Sequence, residues 1–179
     1  CSYLLPSTTP NLGGLLVDRG DTRPFEQPLP INTQPKRLAL GNSFAIGVKE
    51  DGTVWSWGSQ SCGRLGTGAM WEGTTNTPTQ ITGIADFVEV AAGSNHILAL
   101  RKDGTVWSWG ENKQGQLGYK EDGYAEAATS QYKAVYYSCQ LTPKQIPDLK
   151  DVVSIGAGSS FSLALDKQGR VWGWGSNAH

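Results

Sequence analysis

The chain has 179 residues, the length of one ordinary domain, and it is too short to bury two well-developed cores. Fifteen Lys and Arg oppose sixteen Asp and Glu, a net charge of −1, so no basic field is available to hold nucleic acid or an anionic membrane surface. No apolar run is long enough to cross a bilayer. The 23 glycines and seven tryptophans exceed their ordinary shares and indicate short strands, tight turns and flat aromatic packing.

The chain begins with a proline-rich stretch. Six of the nine prolines lie in the first 35 residues, so residues 1–34 are expected to form a linker, with at most a partial strand at residues 15–17. Cys1 followed by Ser2 is also the start that a lipoprotein has after its signal peptide is removed, in which case Cys1 would carry a lipid. A piece of a longer protein could begin in the same way, and both interpretations stay open.

An internal repeat organises the rest of the chain. The phrase Asp-Gly-Thr-Val-Trp-Ser-Trp-Gly occurs at residues 51–58 and again, letter for letter, at residues 103–110. A degraded copy stands at residues 168–175. A glycine lies 11 residues before the turn glycine of each copy, and an apolar run of strand length lies between the two glycines. Gly-x-Leu-Gly and then Thr-Pro-x-Gln-Ile follow the first two copies, so two complete units and part of a third are visible.

The second unit predicts four strands. Strand length and composition are found at residues 87–92, 96–100, 106–110 and, more weakly, around 145–146. Asp103-Gly104 supplies the positive φ that a tight hairpin turn needs. Because side chains alternate along a strand, both tryptophans of Val-Trp-Ser-Trp-Gly fall on one face, and we expect their indoles to pack against the next unit.

Four short antiparallel strands cannot bury both faces of their sheet alone, but similar sheets stacked radially around an axis can. The sequence therefore predicts an all-β fold, a β-propeller whose four-stranded blades form an incomplete ring of about three blades. The units are expected near residues 35–85, 86–150 and 151–179, the last one truncated. Turn glycines and paired tryptophans recur in every unit, which favours a structural role over ligand binding. These residues are Gly52, Trp55, Trp57, Gly58, Gly104, Trp107, Trp109, Gly110, Gly169, Trp172, Trp174 and Gly175.

The combined pattern resembles a known repeat family. Gly-x-x-His/Phe, a Leu-Ala-Leu-like strand, Asp-Gly-x-Val-Trp-x-Trp-Gly and Gly-x-Leu-Gly are spaced, over residues 35–179, as in the regulator of chromosome condensation repeat family. The resemblance implies a seven-bladed propeller with units of about 50 residues. Residues 176–179 stop one position before the expected Gly-x-Leu-Gly glycine, which suggests a part of a longer propeller. Open blade edges would then favour self-association.

The second unit carries an insertion. Thirteen residues are added within residues 119–141 relative to the first unit, and five of the six tyrosines lie there. Insertions in repeat proteins map to loops on one face, and tyrosine offers a large contact area at low entropic cost. Trp71 stands in a loop that the other units do not copy, where partner binding and local cover are both open. The predicted partner-binding residues are Trp71, Tyr124, Tyr132, Tyr136 and Tyr137.

Few side chains suggest chemistry. Cys62 and Cys139 lie on connections that could meet between adjacent blades, so they form a disulfide in an oxidising compartment or remain two unrelated thiols. His96 occupies a position that is Phe44 in the first unit and Phe161 in the third, which indicates packing. The sequence contains no Cys-x-x-Cys, Walker loop or Gly-x-Ser-x-Gly elbow, so no metal, cofactor or catalytic residue is expected.

These features predict a non-enzymatic protein–protein interaction module. It would be part of a bacterial-type propeller outside the cytoplasm, secreted or lipid-anchored, with a cytoplasmic location as the alternative. The partner is expected to be a protein of unknown identity and not a nucleic acid. The resemblance implies two alternatives, guanine nucleotide exchange on a small GTPase and inhibition of an enzyme such as a β-lactamase by a secreted protein. A catalytic domain fused outside this segment is a further alternative.

Overall fold

The computed structural model describes residues 37–70, 73–120, 124–127 and 135–177, and these residues form twelve β-strands and no helix. In chain order the strands are β1 (Leu38–Leu40), β2 (Phe44–Val48), β3 (Val54–Ser59), β4 (Thr74–Gln80), β5 (Phe87–Ala92), β6 (His96–Arg101), β7 (Val106–Glu111), β8 (Tyr124–Ala127), β9 (Val135–Gln145), β10 (Val152–Ala157), β11 (Phe161–Asp166) and β12 (Val171–Gly175). A helix long and apolar enough to cross a membrane is not found in these ranges.

The strands form three antiparallel sheets, one for each sequence unit. Their orders are β1-β2-β3-β4, β5-β6-β7-β9-β8 and β10-β11-β12, and we call these sheets blade 1, blade 2 and blade 3. The repeated Val-Trp-x-Trp-Gly phrase is the third strand of each blade. The prediction of an all-β fold built from small antiparallel sheets is confirmed.

The hairpin between the second and third strands is set by a short polar phrase. Gly104 has a φ of +83°, and Leu100 pairs with Val106 across the turn. The Asp103 carboxylate accepts hydrogen bonds from the Thr105 hydroxyl at 2.6 Å and the Thr105 amide at 3.0 Å, and these bonds lower the pKa of Asp103. Asp51 and Thr53 repeat the arrangement in blade 1. The turn predicted at Asp103-Gly104 is confirmed.

The core lies between the blades. One buried cluster joins blade 1 and its connecting segments to blade 2. Blade 1 and its connections contribute Phe44, Ile46, Val48, Val54, Leu65 and Ile81, and blade 2 contributes Phe87, Val90, Ile97, Ala99 and Trp109. A second cluster joins blade 2 to blade 3. Each blade therefore depends on its neighbour for the burial of its apolar side chains, as expected for a stacked-repeat fold.

The same backbone hydrogen bond links successive blades. The amide of Asn42 donates to the carbonyl of Ser94 at 3.0 Å, and the amide of Ser94 donates to the carbonyl of Ser159 at 3.0 Å. These residues lie just before the second strand of each blade. Repetition of one contact at one position shows that the two blade interfaces share a common geometry.

In blades 2 and 3 the second tryptophan of the pair packs on the preceding blade. Trp109 is fully buried, and its indole N–H donates to the carbonyl of Arg64 at 3.3 Å. Trp174 donates in the same way to the carbonyl of Gln116 at 2.8 Å. The expectation that the indoles pack against the next unit was wrong, because the face that carries them is turned toward the Gly-x-Leu-Gly segment of the unit before.

The first tryptophan of each pair lies nearer the surface. Trp172 is 44% exposed. Its indole N–H donates to the Asp166 carboxylate at 2.9 Å. Burial by itself would raise the pKa of Asp166, but hydrogen bonds from Trp172, Arg170 and Gln168 outweigh it and hold that pKa at about 2. A polar partner close along the chain explains why this indole can remain outside the core.

The insertion is partly strand, whereas the sequence predicted a loop followed by a weak strand near residues 145–146. Strand β9 has 11 residues, and its first part pairs with β8 to form a hairpin. Its last part pairs with β7, so that Trp107 lies opposite Gln145. Sequence reasoning missed this extension because the first unit has no counterpart to the added residues.

Candidate functional site

The β8–β9 hairpin extends past the end of its blade. Strand β7 ends at Glu111, which pairs with Cys139, and residues Val135–Ser138 continue beyond this point. Tyr124 pairs with Ser138 and Ala127 with Val135, which defines the hairpin as an antiparallel ribbon. In blade 1 the corresponding strand, β4, begins at Thr74 directly opposite the end of β3, so the described residues of blade 1 form no such projection.

A disulfide fixes the base of this hairpin to blade 1. Cys62 and Cys139 are bonded in the structure, with Cα atoms 5.3 Å apart and both residues buried. Their Cα separation lies in the ordinary range for disulfides. The bridge spans 77 residues of sequence and links the turn after β3 to strand β9 of the next blade.

Close backbone contacts support the same junction. The amide of Gly68 donates to the carbonyl of Leu141 at 3.0 Å, and the amide of Asn112 donates to the carbonyl of Ser138 at 2.8 Å. A Cβ atom added to Gly63 would lie 2.6 Å from the Cα of Leu141, so a larger residue there would push the strand away. The hairpin base is thus held by blade 1 on one side and by its own blade on the other.

Arg64 adds a buried polar crosslink beside the disulfide. Its guanidinium donates to the carbonyls of Ser59 at 2.7 Å and Asn42 at 2.9 Å, and to the Asn95 side chain at 2.8 Å. Asn95 in turn donates to the Glu111 carboxylate at 3.3 Å. Burial lowers the pKa of Arg64, and the negative charge of Glu111 opposes that effect. The crosslink holds blades 1 and 2 together at the end where the hairpin projects.

The family of the chain is decided by its repeats. Two sequence profiles of the regulator of chromosome condensation (RCC1) repeat match it, one over residues 51–100 and 103–165 and the other over residues 36–64, 87–116 and 152–179. The chain belongs to the RCC1 repeat family. The resemblance inferred from the spaced glycines and tryptophans is therefore confirmed.

Two curated relatives share about a third of the aligned residues with this chain. The chain is 32% identical to the probable E3 ubiquitin-protein ligase HERC6 of Homo sapiens, over 94% of this chain and 16% of that protein. It is also 32% identical to protein pim1 of Schizosaccharomyces pombe, over 79% of this chain and 24% of that protein. The chain therefore spans about a quarter or less of the length of these curated relatives.

A solved RCC1 structure has the same fold. Yeast RCC1 (Prp20), in a crystal structure bound to Kap60, superposes with a TM-score of 0.65 at 23% identity, over 95% of this chain and 38% of that chain. At this identity the likeness shows the fold alone. The three sheets are accordingly blades of an RCC1-type β-propeller.

The structure gathers three of the predicted partner-binding residues of this RCC1-repeat chain on one element. Tyr124 is in β8, and Tyr136 and Tyr137 are in β9, where Tyr137 pairs with Ala125. Trp71 and Tyr132 lie outside the described residues, as do Cys1 and residues 1–34. The partner-binding assignment stays a prediction.

Another tyrosine of the insertion, Tyr119, contacts residues of its own blade. Tyr119 is half-buried, and its hydroxyl donates to the carbonyl of Ser108 at 2.8 Å. The Lys144 ammonium lies 5.1 Å from the centre of its ring. These contacts give Tyr119 a packing role at the start of the insertion.

His96 links blades 2 and 3. It is fully buried, as a packing residue would be, and its Nε2 lies 2.9 Å from the hydroxyl of Ser162. Ser162 uses its single hydroxyl hydrogen to donate to the carbonyl of Gln116 at 2.7 Å, so His96 Nε2 must be the donor in their contact. Burial lowers the pKa of His96 to about 4. The imidazole is therefore neutral at ordinary pH and is a structural link.

Sequence reasoning missed the Arg64 and His96 contacts, because their partners lie 31 and 66 residues away in neighbouring blades. The signal available was that Arg64 occupies the variable position of Gly-x-Leu-Gly and that His96 replaces phenylalanine. Across the described ranges, no group of three or more His, Cys, Asp and Glu side chains is placed to hold a metal ion.

Proposed function

We propose that this RCC1-repeat chain is a non-enzymatic protein-interaction module and that the β8–β9 hairpin is its docking element. The observation that carries the proposal is the joining of a unique, tyrosine-rich ribbon to a repeated scaffold by a disulfide at its base. A binding element held in place before contact loses less conformational freedom when its partner arrives. Tyrosine contributes contact area at low entropic cost in such elements.

A binding role, and not a catalytic one, is also supported by the buried polar side chains of the scaffold, which hold the blades together. Burial lowers the pKa of Arg64 and of His96, and both side chains are engaged in contacts between blades. The solved relative, yeast RCC1 (Prp20), is itself a protein bound to another protein, Kap60. By analogy, the partner proposed here is a folded protein that the hairpin contacts, with Trp71 as a further contact.

We also propose that the chain acts outside the cytoplasm, secreted or lipid-anchored. The support is the bridge between Cys62 and Cys139, since disulfides persist in oxidising compartments and are rare where glutathione keeps thiols reduced. Fractionation of the producing cell with an antibody to the chain tests this proposal. Recovery of the chain in the cytoplasm with both thiols free would contradict it.

The docking proposal is tested with a triple substitution, Tyr132→Ala, Tyr136→Ala and Tyr137→Ala. The immobilised chain is used to isolate a binding protein, which is identified by mass spectrometry, purified and titrated by calorimetry. Because tyrosine is enriched among the residues that dominate interface energy, the triple variant should bind about tenfold or more weakly. The far-ultraviolet circular dichroism spectrum, which reports the strand content, and the disulfide should be unchanged.

A matched control uses the corresponding strand of blade 1. Asn76→Ala, Thr77→Ala and Thr79→Ala remove three exposed side chains from β4, which carries no projection, and should leave binding unchanged. Equal affinity of the tyrosine variant and the parent chain would reject the hairpin as the docking element. Acceleration of nucleotide release from a small GTPase by the chain would replace the proposal with guanine nucleotide exchange.

A further inference from the structure

Blade 1 contains a small polar pocket between its last two strands and the Gly-x-Leu-Gly turn. The pocket has a volume of about 180 Å³. Its floor consists of the buried residues Ser56, Gln60 and Leu65, and its rim includes the exposed residues Thr67, Gly73 and Thr79. We call it the blade 1 pocket.

The same framework of hydrogen bonds surrounds the equivalent place in blade 2. The Ser56 hydroxyl donates to the carbonyl of Leu65 at 2.8 Å, as the Ser108 hydroxyl donates to the carbonyl of Leu117 at 2.8 Å. In both blades a side-chain amide oxygen also accepts a hydrogen bond from the backbone N–H of this leucine, at 3.0 Å. The two places are therefore copies of one site.

In blade 2 this site is filled by the side chain of Tyr119. Its hydroxyl donates to the carbonyl of Ser108 at 2.8 Å, and its ring packs against the cluster between blades 2 and 3. Blade 2 has a described blade on each side, and still its own tyrosine fills the site. The blade 1 pocket is therefore not a face that an adjoining blade covers.

Blade 1 has a threonine where blade 2 has this tyrosine. Thr67 and Tyr119 each follow the last glycine of Gly-x-Leu-Gly, so they occupy the same position of the repeat. Threonine has no ring, and the space that the ring takes up in blade 2 stays open in blade 1. The strand opposite Ser56 bulges at Pro78, which has no N–H to donate.

We propose that the blade 1 pocket binds a phenol ring whose hydroxyl donates to the carbonyl of Ser56, as Tyr119 donates to Ser108. The volume is sufficient, since a protein cavity of about 150 Å³ holds benzene. The polar floor favours a ring with a hydroxyl over a plain hydrocarbon. A tyrosine side chain of another polypeptide and a free phenol share this chemistry. The inference does not rest on the docking hairpin.

Titration of the nitrogen-15-labelled chain, followed by nuclear magnetic resonance, tests the proposal with three probes. N-acetyl-L-tyrosinamide should shift the amide signals of Leu65 and Thr67, with a Kd of about 1 mM for so small a ligand. N-acetyl-L-phenylalaninamide lacks the hydroxyl and should bind about fivefold more weakly, since one hydrogen bond is lost. Equal affinity for the two amides would overturn the assignment of a phenol.

The third probe, p-cresol, separates the two sources of the ring. Binding of both p-cresol and the tyrosine amide supports a tyrosine side chain as the ligand, because the pocket then admits the backbone beside the ring. Binding of p-cresol alone supports a free phenol.

Thr67→Tyr supplies the ring from the chain itself. This variant should bind the tyrosine amide at least tenfold more weakly than the parent chain. Its midpoint of thermal unfolding should rise by about 2 to 4 °C, because the new ring is buried and hydrogen-bonded as in blade 2. Thr77→Tyr is the matched control, an exposed change on β4 outside the pocket, and should bind the amide like the parent chain.

The converse change, Tyr119→Thr, opens the site in blade 2 and should add a second set of shifted signals, around Leu117. Three results would overturn the proposal. They are the absence of shifts at Leu65 and Thr67 in the parent chain, equal affinity of the Thr67→Tyr variant and the parent, and binding that occurs only in a Trp71→Ala variant. The last result would mean that the chain closes the pocket with its own side chain.

Discussion

At the interface of blades 2 and 3, His96 takes the place that phenylalanine holds in the other two blades. The imidazole fills the same buried volume but adds a hydrogen bond to Ser162, which itself bonds to the carbonyl of Gln116. A buried base of this kind has a pKa below its ordinary value, because protonation would place an uncompensated charge in the core. Because the pKa of His96 is shifted in the folded chain, the stability of the fold depends on pH.

We predict that stability falls in mild acid through His96. Its pKa is about 4 in the folded chain and takes the ordinary value of 6.5 in the unfolded chain. Between these pH values the unfolded chain therefore binds a proton that the folded chain does not. The free energy of unfolding should therefore be highest above pH 6.5 and decrease by about 3 kcal/mol as pH falls toward 4. Urea unfolding at several pH values measures this decrease.

His96→Phe is the matched control, since Phe44 and Phe161 show that the scaffold accepts this ring. The variant should lose most of the pH dependence between pH 6.5 and 4 while keeping the fold. An unchanged slope in the variant would assign the effect to other groups. Asp166 does not contribute between pH 6.5 and 4. Its pKa is about 2 in the folded chain and 3.8 ordinarily, so its contribution to the free energy of unfolding is lost only at lower pH.

A second prediction concerns the close approach of Gly66 to the next blade. Gly66 has a φ of +70°, and an added Cβ would lie 2.9 Å from the Trp109 indole nitrogen and 3.0 Å from the Ile81 side chain. Gly66→Ala should therefore combine backbone strain with overpacking and lower the free energy of unfolding by about 2 to 4 kcal/mol. Gly83 has a φ of +80° with no atom near its Cβ position, so Gly83→Ala shows only the backbone effect.

Equilibrium unfolding in urea of the two alanine variants separates the contributions. The difference between them reports the contact with Trp109, and we expect Gly66→Ala to be the less stable by about 1 to 2 kcal/mol. Equal losses would mean that the blades can move apart at Gly66 without cost. The tight packing assigned to this turn would then be incorrect.

Among the elements, the β8–β9 hairpin depends most on a single covalent bond. The disulfide joins β9 to the turn after β3 across 77 residues. Closing so large a loop lowers the conformational entropy of the unfolded chain, and this stabilises the folded chain. We predict that Cys62→Ser with Cys139→Ser lowers the free energy of unfolding by about 4 kcal/mol. Urea unfolding of the variant and the oxidised parent measures the loss.

Alkylation of thiols in denaturant, followed by mass spectrometry, checks the bond itself. The oxidised chain should carry two labels fewer than the reduced chain, since two of its three cysteines are engaged. Identical label counts would show that no bridge exists. Cys1 takes part equally in both samples and serves as the internal reference.

Strands and turns could be predicted where the sequence repeats them. Residues 87–92 were placed correctly as β5, and the hairpin at Asp103-Gly104 was found because the same letters stand at residues 51–52. The β8–β9 hairpin was missed because it occurs once and the first unit offers no comparison. The contacts of Arg64 and His96 were missed because they join distant units, and no local periodicity reports them.

Across the described blades, the hydrophobic core lies between sheets, so the burial of each blade depends on its neighbour. Two apolar clusters join three blades, so no described blade buries its own hydrophobic residues without a neighbour. This arrangement makes the family recognisable from spacing, because each unit must keep the residues that its neighbour packs against.

The bond between Cys62 and Cys139 has one more consequence. Every residue from 63 to 138 lies in the loop that it closes, including β4 to β8 and the tip of the insertion. A protease that cuts once inside this loop would produce two polypeptides that still migrate together in a denaturing gel. Only a reducing agent would release them.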